Sequence, residues 1–136
     1  MTSFAVDTSL AVPLLVASHS AHATARAWAR GKRLRLSGHT LTETYSVLTR
    51  LPGDARVSPA DAVTLIDANF EDAAVLDPQG HATIHRELAD RAMAGGAVYD
   101  GIVALAARTN DLPLATRDAR ARGTYEAIGA TVEFIG

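Results

Sequence analysis

The stretch Ser3-Phe4-Ala5-Val6-Asp7-Thr8-Ser9 joins a short apolar run of β type to an acid and to two hydroxyl residues that can begin a helix. Four more β-type runs follow it, and each is separated from the next by apolar residues at helical spacing. They cover residues 34–37, 74–76, 112–115 and 131–135. Because strands that alternate with helices form parallel sheets, we predict an α/β fold with a mostly parallel central sheet of about five strands flanked by helices.

Helix starts and ends are marked by capping residues, prolines and glycines. The first helix is predicted to begin at Thr8 or Ser9, and others cover residues 19–30, 40–50, 81–94, 98–108 and 119–128. A further helix follows Ser58-Pro59-Ala60-Asp61, in which a capping serine precedes a proline at the first helical position. No repeat or linker divides the 136 residues. We therefore expect one domain over residues 1–136.

The composition excludes several classes of protein. The chain has no cysteine, which excludes disulfides, thiol nucleophiles and cysteine-type zinc sites, so any metal must be bound by oxygen or imidazole. Hydrophobic residues make up 48% and charged residues 21%, as in globular proteins. The longest apolar stretch near the start, residues 10–17, is too short to span a membrane and follows no basic segment. We expect a cytoplasmic protein that does not enter a membrane.

Four acids are predicted to meet at the carboxyl edge of the sheet. Asp7 directly follows the first strand, and Asp118 follows the fourth. Glu43 lies in the first turn of the helix that leaves the second strand. Asp100 begins the helix that leads back to the fourth strand, and this helix must run antiparallel to the strands. Open parallel sheets bind their ligands at this edge, so the four acids indicate a functional site.

Four carboxylates in one place repel each other, by roughly 1 kcal/mol for a pair about 4 Å apart in water. A divalent cation would relieve this repulsion, and oxygen ligands select Mg²⁺ or Mn²⁺. Such an ion lowers the pKa of a bound water and neutralises charge on a phosphate under attack. The pattern therefore indicates phosphodiester hydrolysis.

Each acid also has a local alternative interpretation. Thr40 and Glu43 fit a capping box at the start of their helix. Asp7 and Asp118 could cap the helices that follow them, and Asp100 complements the dipole of its own helix. These alternatives do not explain why Asp7 and Asp100 adjoin strongly apolar segments at the same predicted edge.

The chain resembles the PIN-domain ribonucleases, in particular the VapC-like toxins of bacterial toxin–antitoxin pairs. Four segments carry the resemblance in the family's order: Phe4-Ala5-Val6-Asp7-Thr8-Ser9, Leu41-Thr42-Glu43-Thr44-Tyr45-Ser46-Val47-Leu48, Tyr99-Asp100-Gly101-Ile102-Val103-Ala104-Leu105-Ala106 and Leu114-Ala115-Thr116-Arg117-Asp118. The resemblance implies a homodimeric, metal-dependent endoribonuclease with an RNA substrate and an antitoxin that occupies its active-site cleft. It implies that four acids are catalytic and bind Mg²⁺ or Mn²⁺: Asp7, Glu43, Asp100 and Asp118. It also implies that Ser9 and Thr116 support them.

Basic residues form two groups outside the acids. Arginines bracket Asp118 and are candidates for binding RNA phosphates, with a solvated helix face as the alternative: Arg117, Arg120 and Arg122. A second basic run is interpreted as a surface or antitoxin-facing patch: Arg26, Arg30, Lys32, Arg33 and Arg35.

Three other side chains are interpreted as structural. His81 and His85 have the spacing of zinc ligands but lack the glutamate of the metalloprotease motif between them, so we interpret them as surface residues. Trp28 has few aromatic neighbours in the sequence, and we expect it to pack in the core or in a dimer interface.

Other function classes remain as alternatives. A non-catalytic, protein-binding PIN-like module would use the same acids to hold arginines of a partner. A phosphoacceptor receiver domain requires a lysine at the carboxyl edge, whereas Lys32 precedes the second strand. A haloacid-dehalogenase phosphatase requires a second aspartate that Asp7-Thr8-Ser9 lacks. Both of these classes are disfavoured.

Overall fold

The computed structural model describes residues 1–136 as strands and helices in alternation. The strands are β1 (Thr2–Val6), β2 (Lys32–Ser37), β3 (Glu71–Ala74), β4 (Leu114–Thr116) and β5 (Val132–Phe134). The helices are α1 (Thr8–Leu15), α2 (His22–Ala29), α3 (Thr40–Thr49), α4 (Pro59–Asn69), α5 (Pro78–Asp90), α6 (Ala97–Thr109) and α7 (Ala119–Ile128). A short 3₁₀ turn at Gly53–Ala55 lies between α3 and α4.

The five strands form one sheet in the order β3-β2-β1-β4-β5, and every neighbouring pair is parallel. The predicted α/β class and five-stranded sheet are confirmed. In the central strand β1, Val6 lies opposite Leu36 of β2 and Ala115 of β4. The carboxyl ends of β1, β2 and β4 are therefore aligned at the same edge of the sheet. This register sets the positions of Asp7 and of the residues that follow β2 and β4.

The sheet separates two hydrophobic clusters. Alternate residues of β1 point to opposite faces, so Phe4 and Val6 pack against α1, α3 and α4, whereas Ala5 packs against α6 and α7. On the second face, α6 is buried without interruption from Val103 to Ala107. Three of these five residues are alanine, which lets the helix lie close to the sheet. This buried helix carries Asp100 in its first turn.

The boundaries of several predicted elements were wrong. A strand was predicted at residues 74–76, whereas β3 covers Glu71–Ala74. The prediction missed its start because β3 is an edge strand whose Glu71 and Asp72 are exposed and show no apolar pattern. Helix α5 begins at Pro78 instead of residue 81, since the side chain of Asp77 accepts a hydrogen bond from the Gly80 N–H at 2.6 Å. Strand β4 begins at Leu114, two residues later than predicted.

Two local signals were interpreted correctly. The Asp61 N–H donates to Ser58 Oγ at 3.2 Å, which confirms Ser58 as the cap of α4. Gly129 ends α7 with a φ of 94°, in the left-handed region that glycine favours.

Trp28 packs edge-on against Phe4, with ring centroids 5.1 Å apart, so its predicted place in the core is confirmed. None of the helices has the length and apolar content needed to cross a membrane.

Candidate active site

The four predicted acids line one cavity of about 220 Å³ at the carboxyl edge of the sheet. Asp7 follows β1, Glu43 lies on α3, Asp100 on α6, and Asp118 between β4 and α7. The remaining lining residues are Thr8, Ser9, His39, Thr40, Val103 and Tyr125. The parallel sheet thus brings together acids that are far apart in the chain.

Asp7 is the most buried of these acids, and three hydroxyl groups bind its carboxylate. Ser9 Oγ donates to Oδ1 at 2.6 Å. Thr116 Oγ1 donates to Oδ2 at 2.5 Å, and the Tyr125 hydroxyl donates to the same atom at 2.8 Å. Burial raises the pKa of Asp7 above its ordinary value, and the three donors oppose this rise. The carboxylate is therefore held in one orientation in a largely dry place.

Ser9 and Thr116 are themselves oriented by the backbone. The Arg117 N–H donates to Ser9 Oγ at 2.8 Å, and the Asp118 N–H donates to Thr116 Oγ1 at 2.9 Å. Each hydroxyl has a single proton, and accepting from the backbone leaves that proton for Asp7. The geometry is that of the supporting role predicted for Ser9 and Thr116.

Tyr125 is a site residue that sequence reasoning missed. It lies near the end of α7, is buried, and its hydroxyl reaches Asp7. Burial and the charge of Asp7 raise the pKa of Tyr125, so the hydroxyl stays protonated and acts as a donor. No local pattern marks this tyrosine, because its partner is 118 positions away in the sequence.

The Glu43 side chain contacts the N-cap residue of its own helix, α3. His39 Nε2 lies 3.1 Å from Glu43 Oε2. The capping-box interpretation of Thr40 is wrong, since His39 occupies the N-cap position and Thr40 Oγ1 is buried without a hydrogen-bond partner. The His39 ring also meets the edge of Tyr99, with centroids 5.7 Å apart. His39 was not predicted as a site residue, although its position four residues before Glu43 offered a signal.

Asp118 both caps α7 and lines the cavity. Its Oδ1 accepts the Arg120 N–H at 3.0 Å, so the predicted capping of α7 is confirmed. Arg120 Nε lies 3.5 Å from the same oxygen, but the Arg120 side chain is 93% exposed and this ion pair is weak. Asp7, by contrast, occupies the N-cap position of α1 without a side-chain capping bond.

Asp100 has no basic partner in the cavity. Burial raises its pKa above the ordinary value, and the charges of three other acids raise it further: Asp118, Asp7 and Glu43. Protonated His39 acts in the opposite direction. The pKa of Asp100 is raised because burial and the neighbouring acids both disfavour its ionised form.

The donor chemistry of the cavity fits a hard divalent cation. All four acids supply oxygen ligands, which Mg²⁺ and Mn²⁺ prefer. The hydroxyls of Thr8 and Thr40, which line the same cavity, are buried without partners and are suited to water molecules or a ligand. No group of three or more His, Cys, Asp or Glu side chains has the spacing of a metal site. Glu43 and Asp118 would therefore have to turn from His39 and Arg120 to share an ion with Asp7.

The predicted phosphate-binding arginines lie beside the cavity without lining it. Arg120 is exposed to solvent, and Arg122 pairs with Glu126 of its own helix at 2.9 Å. Arg117 is half-buried, and its Nε has no partner. His81 and His85 are exposed on α5, as predicted for surface residues. Of these arginines, Arg120 has the side chain most exposed to an external ligand, although its Nε lies 3.5 Å from Asp118 Oδ1.

The sequence pattern of the PIN domain matches residues 4–127, which span β1 to α7 and include all four acids. The chain belongs to the PIN-domain family. Within this family, it is 52% identical over 128 residues to Ribonuclease VapC27 of Mycobacterium tuberculosis, covering 94% of this chain and 93% of that protein. It is 38% identical over 133 residues to Ribonuclease VapC40 of the same organism, with coverage of 96% and 98%. The predicted resemblance to VapC-like PIN domains is confirmed.

A solved structure of this PIN-domain type has the same fold. The crystal structure of VapBC2 from Rickettsia felis, bound to a DNA fragment from the promoter, superimposes with a TM-score of 0.66. The match covers 98% of both chains at 12% identity. At this identity the likeness concerns the fold alone, and it agrees with the parallel five-stranded sheet described above.

Proposed function

We propose that this PIN domain is an endoribonuclease toxin that hydrolyses RNA phosphodiester bonds with Mg²⁺ or Mn²⁺ and is neutralised by a cognate antitoxin. The observation that carries the proposal is the meeting of Asp7, Glu43, Asp100 and Asp118 in one cavity, where burial and the charges of the other three acids raise the pKa of Asp100. The names of the two Mycobacterium tuberculosis relatives, both ribonucleases, support the same activity.

The residues that would hold the ion are the four acids. When bound there, the ion supplies an activated water and neutralises charge on the phosphate. Asp7 is held in place by hydroxyl groups on both of its oxygens, so it provides a rigid anchor. Glu43 and Asp118 have partly exposed side chains and can adjust to the ligand. Asp100 adds a fourth carboxylate to the cavity, and burial and the other three acids raise its pKa.

Substrate binding is proposed to involve the exposed surface beside Asp118. Arg120 is placed to contact a phosphate of an RNA chain that enters the cavity. The single-stranded parts of RNA are the regions that can reach a narrow acidic cavity, because their backbone is free to bend. Arg117 and Arg122 remain candidates for the same role.

The proposal includes the partners of the toxin. An antitoxin that covers the active-site cleft belongs to the proposal, as the family resemblance of the chain to VapC-like toxins implies. We also propose that the protein forms a homodimer and is located in the cytoplasm. The basic run around Lys32 lies at the opposite edge of the sheet, where β2 begins, so it is a surface patch apart from the active site.

Cleavage mapping on total RNA is the direct test. Purified protein is incubated with RNA in Mg²⁺, in Mn²⁺ and in EDTA, and new 5′ ends are sequenced. We expect discrete cleavage sites that require the ion and disappear with Asp100→Asn. Cleavage that persists in EDTA would contradict the metal dependence.

A protein-binding module is the alternative that this test separates. It is favoured by the absence of a preformed metal cluster and by the contacts that Glu43 and Asp118 make with His39 and Arg120. Such a module would show no cleavage under any condition and no stabilisation by Mg²⁺ or Mn²⁺.

A further inference from the structure

The Tyr125 hydroxyl makes one hydrogen bond, and it is with Asp7. Its ring is buried with Val103, Leu114 and Ile128 in the cluster between the sheet and helices α6 and α7. Its hydroxyl leaves this apolar surrounding and donates to Asp7 Oδ2 at 2.8 Å. A phenylalanine would fill the same space without a buried polar atom that needs a partner. Packing alone therefore does not explain the hydroxyl.

The two oxygens of Asp7 differ in the number of donors that they accept. Oδ2 accepts from Thr116 and Tyr125, which occupies both of its lone-pair directions. Oδ1 accepts one side-chain hydrogen bond, from Ser9 Oγ at 2.6 Å, and so has fewer side-chain donors than Oδ2. A ligand in the cavity can therefore be bound by Oδ1 while the hydrogen bonds to Oδ2 stay intact.

We infer that Tyr125 is a positioning residue that occupies Oδ2 of Asp7 and so presents Oδ1 to a divalent cation in the cavity. The inference rests on the metal site of the proposed function and adds a residue to it. Tyr125 does not touch the ion or the substrate. It acts through Asp7, in the way that hydrogen-bonded neighbours orient the ligands of other metal sites.

The test is the binding of Mn²⁺ to Tyr125→Phe, measured by titration calorimetry in the absence of RNA. This change keeps the buried ring and removes only the hydroxyl. We expect Mn²⁺ affinity to fall by about 10- to 100-fold, the usual effect of removing such a neighbour. Thr116→Val, which removes the other donor to Oδ2, is expected to lower the affinity in the same range. Tyr45→Phe, at a half-exposed tyrosine of α3, is the matched control and should bind Mn²⁺ like the unmodified protein.

Melting temperature separates positioning from a structural role. If Tyr125→Phe lowers the melting temperature but leaves Mn²⁺ affinity within twofold of the unmodified protein, Tyr125 is a structural residue only and the inference is overturned. The proposed function survives that result. If the unmodified protein binds no Mn²⁺, the metal-dependent function fails together with the inference.

A crystal of the unmodified protein soaked in Mn²⁺ tests the same point independently of whether any variant folds. We expect the ion to contact Asp7 through Oδ1 while Tyr125 remains hydrogen-bonded to Oδ2. Contact through Oδ2, with the Tyr125 hydroxyl displaced, would overturn the inference.

Discussion

His39 Nε2 lies 3.1 Å from Glu43 Oε2, one helical turn away, so Glu43 is bound to its own helix region and not to the acids across the cavity. Both side chains are partly exposed, at 31% and 47%, and such a contact contributes about 0.5–1 kcal/mol. An ion that takes Glu43 as a ligand has to break this contact.

His39→Ala is therefore expected to tighten Mn²⁺ binding about two- to fivefold, because Glu43 no longer has a competing partner. Titration calorimetry without RNA measures the change. Weaker binding in this variant would mean that His39 supports the ion site and does not compete with it.

Asp100→Asn is expected to raise the melting temperature by a few degrees at pH 7 without divalent ions. The folded state raises the pKa of Asp100 above its ordinary value of 3.8, so the native protein retains a proton that the unfolded chain releases. The free energy of unfolding therefore falls as pH rises from the ordinary pKa of Asp100 to its raised pKa in the folded state. The ionised carboxylate is consequently destabilising at pH 7.

The same variant should lose the stabilisation that Mg²⁺ gives to the unmodified protein, as measured by differential scanning fluorimetry. Asp54→Asn, at an exposed acid far from the cavity, is the control and should change neither value. A lower melting temperature for Asp100→Asn would show that Asp100 has a stabilising partner.

Gly38→Ala is expected to displace α6 from α3. Gly38 has a φ of 60°, and an added Cβ would lie 3.2 Å from the Ile102 carbonyl oxygen and 3.3 Å from Val103 Cα. Both contacts are with the backbone, which cannot move without shifting the helix that carries Asp100. Gly31 also has a positive φ, of 76°, but nothing lies within 4 Å of its Cβ position.

Gly31→Ala therefore controls for backbone strain alone, which costs about 1–2 kcal/mol. We expect Gly38→Ala to lose roughly 1–3 kcal/mol more in urea unfolding and to weaken Mn²⁺ binding, whereas Gly31→Ala leaves Mn²⁺ binding unchanged. Equal losses of stability in the two variants would contradict the proposed displacement.

Glu87→Gln tests an ion pair distant from the cavity. Arg108 Nη2 donates to Glu87 Oε1 at 2.8 Å and joins α6 to α5, and this hydrogen bond holds the pKa of Glu87 below its ordinary value of 4.5. The pair stabilises the fold above that value, and its contribution is lost as pH falls through the lowered pKa. Urea unfolding should show a loss of up to about 1 kcal/mol at pH 7, and this loss should shrink as pH falls below 4.5 through the lowered pKa. RNA cleavage should be unaffected, and a loss that is independent of pH would contradict the assignment.

Arg120→Ala is expected to weaken RNA binding and to reduce the slope of log affinity against log salt by about 1, as expected for one lost phosphate contact. Fluorescence anisotropy with a short single-stranded RNA and the inactive Asp100→Asn background measures this slope. Arg30→Ala removes an exposed arginine near the opposite edge of the sheet and serves as the control. An unchanged slope for Arg120→Ala would exclude its contact with phosphate.

The strands and the four acids were predictable because their signals are local. An apolar run followed at once by Asp7, or within three residues by Asp118, marks both a strand and the edge at which its chain emerges. Ser58 and Gly129 similarly mark helix ends by conformational preferences of single residues. Strand β3 was misplaced because an exposed edge strand does not need the apolar pattern that reveals a buried one.

The sequence by itself determined the class of fold and which carboxylates meet, since parallel strands bring their carboxyl ends to one edge whatever the details of packing. Only the tertiary structure decided how those carboxylates are held. Tyr125 reaches Asp7 because α7 packs against α6 over the sheet, and His39 reaches Glu43 because the turn after β2 directs its ring toward α3. The Tyr125 contact depends on side-chain directions across elements that are 118 positions apart, so no local pattern reports it, whereas His39 and Glu43 are only four positions apart.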